Sequence, residues 1–144
     1  MSTSVQITTT ITTGNLDGKT YNDSFTETIQ AAENIRAFTE DITTAGFKLF
    51  DFGAQGPGNL DNISKIILQN LDDTNNIEIA LIDSGAKANG SLLLPGQKVE
   101  INNLNMDANA TGSATLTFTN ATEINVKAIT AACRLKIYAV EIAP

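Results

Sequence analysis

Among the side chains able to do chemistry, this 144-residue chain offers sixteen carboxylates and a single thiol, Cys133; it contains no histidine and no tryptophan. Without imidazole, Ser-His-Asp and Cys-His nucleophilic arrangements are excluded, together with zinc sites that need histidine. Carboxylates leave two chemistries open. A pair of Asp or Glu side chains roughly 5–9 Å apart in a cleft hydrolyses glycosides, and clusters of Asp and Asn oxygens hold Ca2+. A sugar site would add aromatic platforms. The aromatics here are six Phe and two Tyr, Tyr21 and Tyr138, and most fall on the apolar parity of strand-like runs, where core packing accounts for them.

The oxygen-rich clusters are Asp72, Asp73, Asn75 and Asn76, and separately Asn15 with Asp17. Neither has the alternating ligand spacing, central glycine and terminal bidentate glutamate of a calcium loop, whereas turn chemistry explains both. Gly53, Gly56 and Gly58 invite a phosphate-loop reading. No Gly-Lys-Ser/Thr ending follows them, and the next segment reads as a strand, not as a helix whose N-terminus receives an anion. Cys133 shares one strand face with Leu135, Ile137 and Ala139, which makes it a buried structural thiol. No catalytic residue, metal or cofactor is expected, and the chain reads as a non-enzyme.

The elements that would position these residues are short β-type runs. Val5, Ile7, Thr9 and Ile11 alternate with Gln6, Thr8, Thr10 and Thr12, the pattern of a strand with one apolar face. After a turn over residues 15–18, Tyr21, Phe25 and Ile29 share one parity of a second strand. Residues 30–37 lack Gly and Pro and contain good helix formers, so they are predicted as one short helical turn. Residues 38–44 and 47–52, broken at Ala45 and Gly46, read as a hairpin, and 53–58 as a loop. The apolar runs 64–71 and 77–82 flank the polar residues 72–76 and read as a second hairpin. Their apolar character on both parities predicts central strands.

Pro95 and Gly96 pre-set a turn after Leu92, Leu93 and Leu94, because Pro fixes φ at the second turn position and Gly supplies positive φ at the third. Residues 98–102 then return, and 115–119, 123–128 and 134–142 alternate strongly. About nine or ten strands with regular turn signals predict a single all-β domain over 1–144, an antiparallel sandwich or jelly-roll-like fold.

The charge balance is acidic: nine Lys plus Arg against sixteen Asp plus Glu, a net charge of −7. Such a field repels phosphate backbones and the cations are scattered singly, so nucleic acid is not an expected partner. The residues after Met1 are polar and no run of eighteen apolar residues occurs, which predicts neither an export leader nor a membrane span. A lone cysteine agrees with folding in a reducing cytoplasm. The Thr-rich opening, Thr8, Thr9, Thr10, Ile11, Thr12 and Thr13, is the candidate interface: a polar β-branched strand near a terminus offers an edge that another chain can complete.

Three segments carry a resemblance. They are Ser64 through Leu81, with its apolar strand, Asn70-Leu71-Asp72 turn and return strand; Leu92 to Gln97 around Pro95 and Gly96; and the closing pair, 123–128 and 136–141. Over roughly 64–142 the chain resembles small β-sandwich virion structural proteins of tailed bacteriophages. The resemblance implies a part displayed in many copies and carries no catalytic residues.

The leading expectation is a capsid decoration (cement) protein that stabilises the shell by repeated non-covalent contacts. Its implied partners are the major capsid protein and neighbouring copies of itself, as a homo-oligomer, and its implied location is the virion after assembly in the host cytoplasm. A tail or baseplate component is the alternative. A carbohydrate-binding module and, last, a small glycosidase are the readings from other classes.

Overall fold

The computed structural model describes residues 3–14, 18–20, 22–51, 63–83, 88–102, 105–107 and 118–142. Among them are ten strands and no helix: β1 (Thr3–Thr12), β2 (Asn22–Ile42), β3 (Phe47–Asp51), β4 (Ile63–Asn70), β5 (Ile77–Asp83), β6 (Ala88–Leu93), β7 (Lys98–Asn102), β8 (Asn105–Asp107), β9 (Phe118–Ala128) and β10 (Cys133–Ile142). Every pairing is antiparallel. One sheet runs β1-β2-β10-β4-β7 and the other β3-β9-β5-β6, with β8 added on β9. The expected all-β sandwich is what the chain forms.

Between the two sheets lies one apolar layer. Cys133, Leu135, Ile137 and Ala139 of β10 point inward from one sheet and meet Ile77, Ile79, Ile124 and Val126 of the other. The period of two that marked these residues in the sequence is the pleat itself, which sends alternate side chains to opposite faces. Burying each Ile or Leu is worth about 1.5–3 kcal/mol. Strands β4 and β5 are interior to their sheets, as their two-sided apolar character predicted. Cys133 is buried, and burial pushes its thiol pKa up.

Three local expectations are corrected. Residues 30–37 belong to the 21-residue strand β2 and form no helical turn, because pairing with β10 outweighs helix propensity. The two expected hairpins, 38–44 with 47–52 and 64–71 with 77–82, are not hairpins. In each, the first strand lies in one sheet and the second in the other, so the connection is an arch across the core. At the first arch Gly46 adopts φ of 71°. A Cβ there would come within 3.0 Å of the Val126 carbonyl oxygen, so both backbone and space demand glycine. At the second arch the buried Asn70 side chain donates to the carbonyls of Asn75 (2.8 Å) and Leu93 (3.2 Å), while its oxygen accepts from the Asp72 amide (3.0 Å).

The expected Pro95–Gly96 turn forms, with Gly96 at φ 71° and Gln97 N donating to Leu94 O at 3.0 Å. The turn at 15–17, Tyr21, the loop 53–58 and most of the strand expected at 115–119 lie outside the described residues.

Candidate functional site

Strand β2 is shared between two partners. Its first half, from Asn22 to Ala32, pairs with β1, and its second half, from Ala32 to Ile42, pairs with β10. The first half and β1 therefore make a two-stranded arm. In a flat sheet this arm would run on past the end of β10. Ala37, Tyr138, Ile67 and Glu100 lie level with one another across β2, β10, β4 and β7. Phe25 precedes Ala37 by twelve positions, so a straight strand would put it and its partner Thr9 about 40 Å away along the strand direction. Instead Thr9 Oγ1 donates to Glu100 Oε1 at 3.3 Å. The arm is folded back across the outer face of its own sheet.

Register decides which residues face that sheet. Val5 and Ile29, Ile7 and Glu27, Thr9 and Phe25, and Ile11 and Asp23 are opposite pairs and share one face of the arm. The other face carries Gln6 with Thr28, Thr8 with Thr26, Thr10 with Ser24, and Thr12 with Asn22. It is wholly polar and exposed, and Thr8 and Thr26 exchange a hydroxyl hydrogen bond of 3.1 Å. The seat beneath the arm is built from residues on the outward parity of the sheet: Val140 and Tyr138 of β10, Lys65 of β4, and Glu100 and Lys98 of β7. Val5, Ile29 and Val140 form a second buried apolar cluster, with Ile7 and Tyr138 packed against it.

Lys65 is the polar centre of this contact. Its side chain is only 2% exposed, and its ammonium pairs with Glu27 from the arm and with Glu100 Oε2 from the sheet at 3.0 Å. Burial by itself lowers the Lys65 pKa, yet the hydrogen bonds to Glu27 and Glu100 outweigh it and the net direction is upward. Glu100 also accepts from Lys98 at 3.0 Å. The hydrogen bonds from Lys98 and then Lys65 hold its carboxyl below the usual range, against the opposing effect of burial. Lys98 Nζ also reaches Thr9 Oγ1 at 3.3 Å.

Toward its tip the arm is exposed. Phe25 and Ile11 lie on the seat-facing parity yet are 60% and 48% exposed. Among the described residues β1 pairs with β2 alone, and β2 from Asn22 to Ile29 pairs with β1 alone. Among the described residues the arm thus carries a ladder of backbone groups without a further strand on each side.

Of the Thr-rich interface residues expected from the sequence, Thr9 faces the sheet and touches Glu100. Thr8, Thr10 and Thr12 line the outer polar face, Ile11 is at the uncovered tip, and Thr13 follows the strand directly. Sequence reading missed Glu27, Lys65, Glu100 and Val140. Signals existed: Lys65 interrupts an apolar run, and Val140 follows Ala139 where alternation calls for a polar residue.

The other chemistry-bearing groups have structural uses. Asp72 Oδ1 accepts from the amides of Thr74 (2.8 Å) and Asn75 (2.6 Å) and from both their side chains, which lowers its pKa and makes it the cap of a turn. Asp51 and Glu123 both grip Lys48, at 2.9 and 2.7 Å. Asn15, Asp17 and the three glycines at 53, 56 and 58 lie outside the described residues. Among the described residues no three acidic or thiol groups converge as for a metal, and no helix is long and apolar enough to cross a membrane.

On the outer face of the second sheet, Lys48, Glu78, Ala80, Asn125 and Lys127 line an open groove of about 400 Å3, which Phe47, paired with the core residue Val126, borders at the start of β3. Asn125 Oδ1 is buried there without a hydrogen-bond partner. Comparison with known proteins gives no match: no family model fits the chain, and no curated protein or solved structure is significantly similar to it.

Proposed function

We propose that this chain is a structural subunit that acts by association: a bacteriophage virion protein, and within that class a capsid decoration (cement) protein bound to the major capsid protein and to its own copies. The observation that carries the reading is the arm. A two-stranded ribbon whose outer edges pair with no further strand among the described residues, with Phe25 and Ile11 exposed at its tip, is suited to a further surface, since an unpaired edge is otherwise an aggregation liability. The resemblance over 64–142 supplies the particle. A modest contact repeated over a lattice gains by effective concentration, so no single contact need be tight.

Mass analysis of purified particles tests this. Many copies, in fixed ratio to the shell protein, are expected; a few copies confined to the tail would favour the tail or baseplate component, and particles lacking the chain would end the reading.

The groove at Phe47 favours a second reading, a carbohydrate-binding module. An open groove with Lys48, Glu78 and Lys127 along it and an aromatic, Phe47, at its border offers groups of the kind that hold a sugar's hydroxyls and ring. Glycan-array binding abolished by Phe47→Ala would support it. Of the two tyrosines, Tyr138 is packed beneath the arm and Tyr21 lies outside the described residues.

A further inference from the structure

The covered face of the β10-β4-β7 sheet has one occupant whose fit is already on view, the chain's own arm, and every other copy of the chain carries the same arm. We propose that the arm exchanges between copies, so that residues 3–29 of one chain seat on Val140, Lys65 and Glu100 of a second chain, and reciprocally.

Four observations lead there. The arm meets its seat through a small set of contacts: an apolar patch of Val5, Ile7 and Ile29 on Val140 and Tyr138, and a polar cluster of Glu27 and Thr9 on Lys65, Glu100 and Lys98. None of its described residues belongs to the main core, so the body keeps its apolar layer when the arm lifts. The connection between arm and body is continuous strand through residues 30–34, and pairing is irregular on both partners at that level, between Thr3 and Val5 on β1 and between Glu141 and Ile142 on β10. These irregularities are what a strand needs to bend back on itself. Straightened there, the ten steps of chain from Ala32 to Asn22 span about 33 Å, long enough to carry the arm off its own sheet and onto a neighbour's.

Closed and exchanged forms make the same arm-to-seat contacts. The closed form adds the bend in β2; the exchanged form loses the freedom of two separate chains and brings Phe25 and Ile11, uncovered in the single chain, near a second molecule. Concentration therefore sets the balance, as in other exchanges of identical elements. The inference does not depend on which particle, if any, the assembly belongs to.

Two single variants of the full chain, Val5→Cys and Val140→Cys, test it. Val5 and Val140 share the buried cluster under the arm, so each variant alone lacks a partner thiol at the contact. Mixed at about 0.5 mM, within the range of effective concentrations that short tethers provide, and oxidised after re-equilibration, they are expected to give a disulfide-linked heterodimer as the main product. The double variant V5C/V140C oxidised when dilute is expected to close within one chain. If it closes while the mixed single variants stay unlinked, exchange is overturned. Sedimentation of the unsubstituted chain is the second measurement: a monomer–dimer equilibrium is expected, and a strict monomer up to about 0.5 mM overturns the proposal whatever the variants do. Finding no such chain in virions would end the proposed function and leave this result standing.

Discussion

Lys65 Nζ lies 3.0 Å from Glu100 Oε2, two strands' side chains joined on a sheet face that would be open to water if the arm were elsewhere. Because Glu100 is held below the ordinary carboxylate range, the stability it contributes is full above the unfolded value near pH 4.3 and is lost as pH falls through the lower folded value. The arm should therefore loosen in acid before the sandwich melts. Amide exchange at residues 5–10 and 25–29 measured from pH 6 to about pH 3 should rise ahead of exchange in β10.

Removing one partner of the buried ion pair should cost more than removing its charge centre. Glu100→Ala leaves the Lys65 ammonium buried with Glu27 alone, and a loss of about 2–3 kcal/mol in arm docking is expected. Lys65→Met keeps the volume and abolishes the buried charge, so about 1 kcal/mol or less is expected. Denaturant midpoints and arm amide exchange read both; equal costs would show that Lys65 is effectively solvated.

Asn70 ties the β4–β5 arch to the end of β6 through two donated bonds and one accepted bond. Asn70→Leu strands the carbonyls of Asn75 and Leu93 and the Asp72 amide, and should destabilise the fold by about 2–4 kcal/mol. Urea unfolding, with unchanged m-value, measures it.

Asn125→Val removes an unpartnered buried oxygen and places a β-branched residue in a strand. A gain of about 1 kcal/mol is expected in the free protein.

Deleting residues 1–13 should impair association more than folding. No described β1 side chain belongs to the main core, so the far-ultraviolet β signal should persist, while Val140 and Ile29 lose their cover and dye binding to apolar surface should rise. Complete loss of the β signal would place β1 in the folding core instead.

The strands and their faces were legible in the sequence because they follow from local alternation: Cys133, Leu135, Ile137 and Ala139 declared the core face, and Pro95 with Gly96 declared a turn. The destination of a turn was not. An arch and a hairpin use the same polar residues between the same apolar runs, so residues 72–76 could not say whether β5 pairs with β4 or crosses to the other sheet. The helical turn expected at 30–37 failed for a related reason, since the partner that makes those residues a strand lies about a hundred positions on, in β10.

By itself the sequence determined the class of fold, the core face of β10 and the polar, Thr-rich character of β1, all of which rest on the two-residue pleat period. Only the tertiary structure decided that β1 and the first half of β2 fold over their own sheet, and that Glu27, Lys65 and Glu100 meet there. Such a meeting depends on a bend in β2 and on the register of three strand pairs together, and no window of neighbouring residues contains that information.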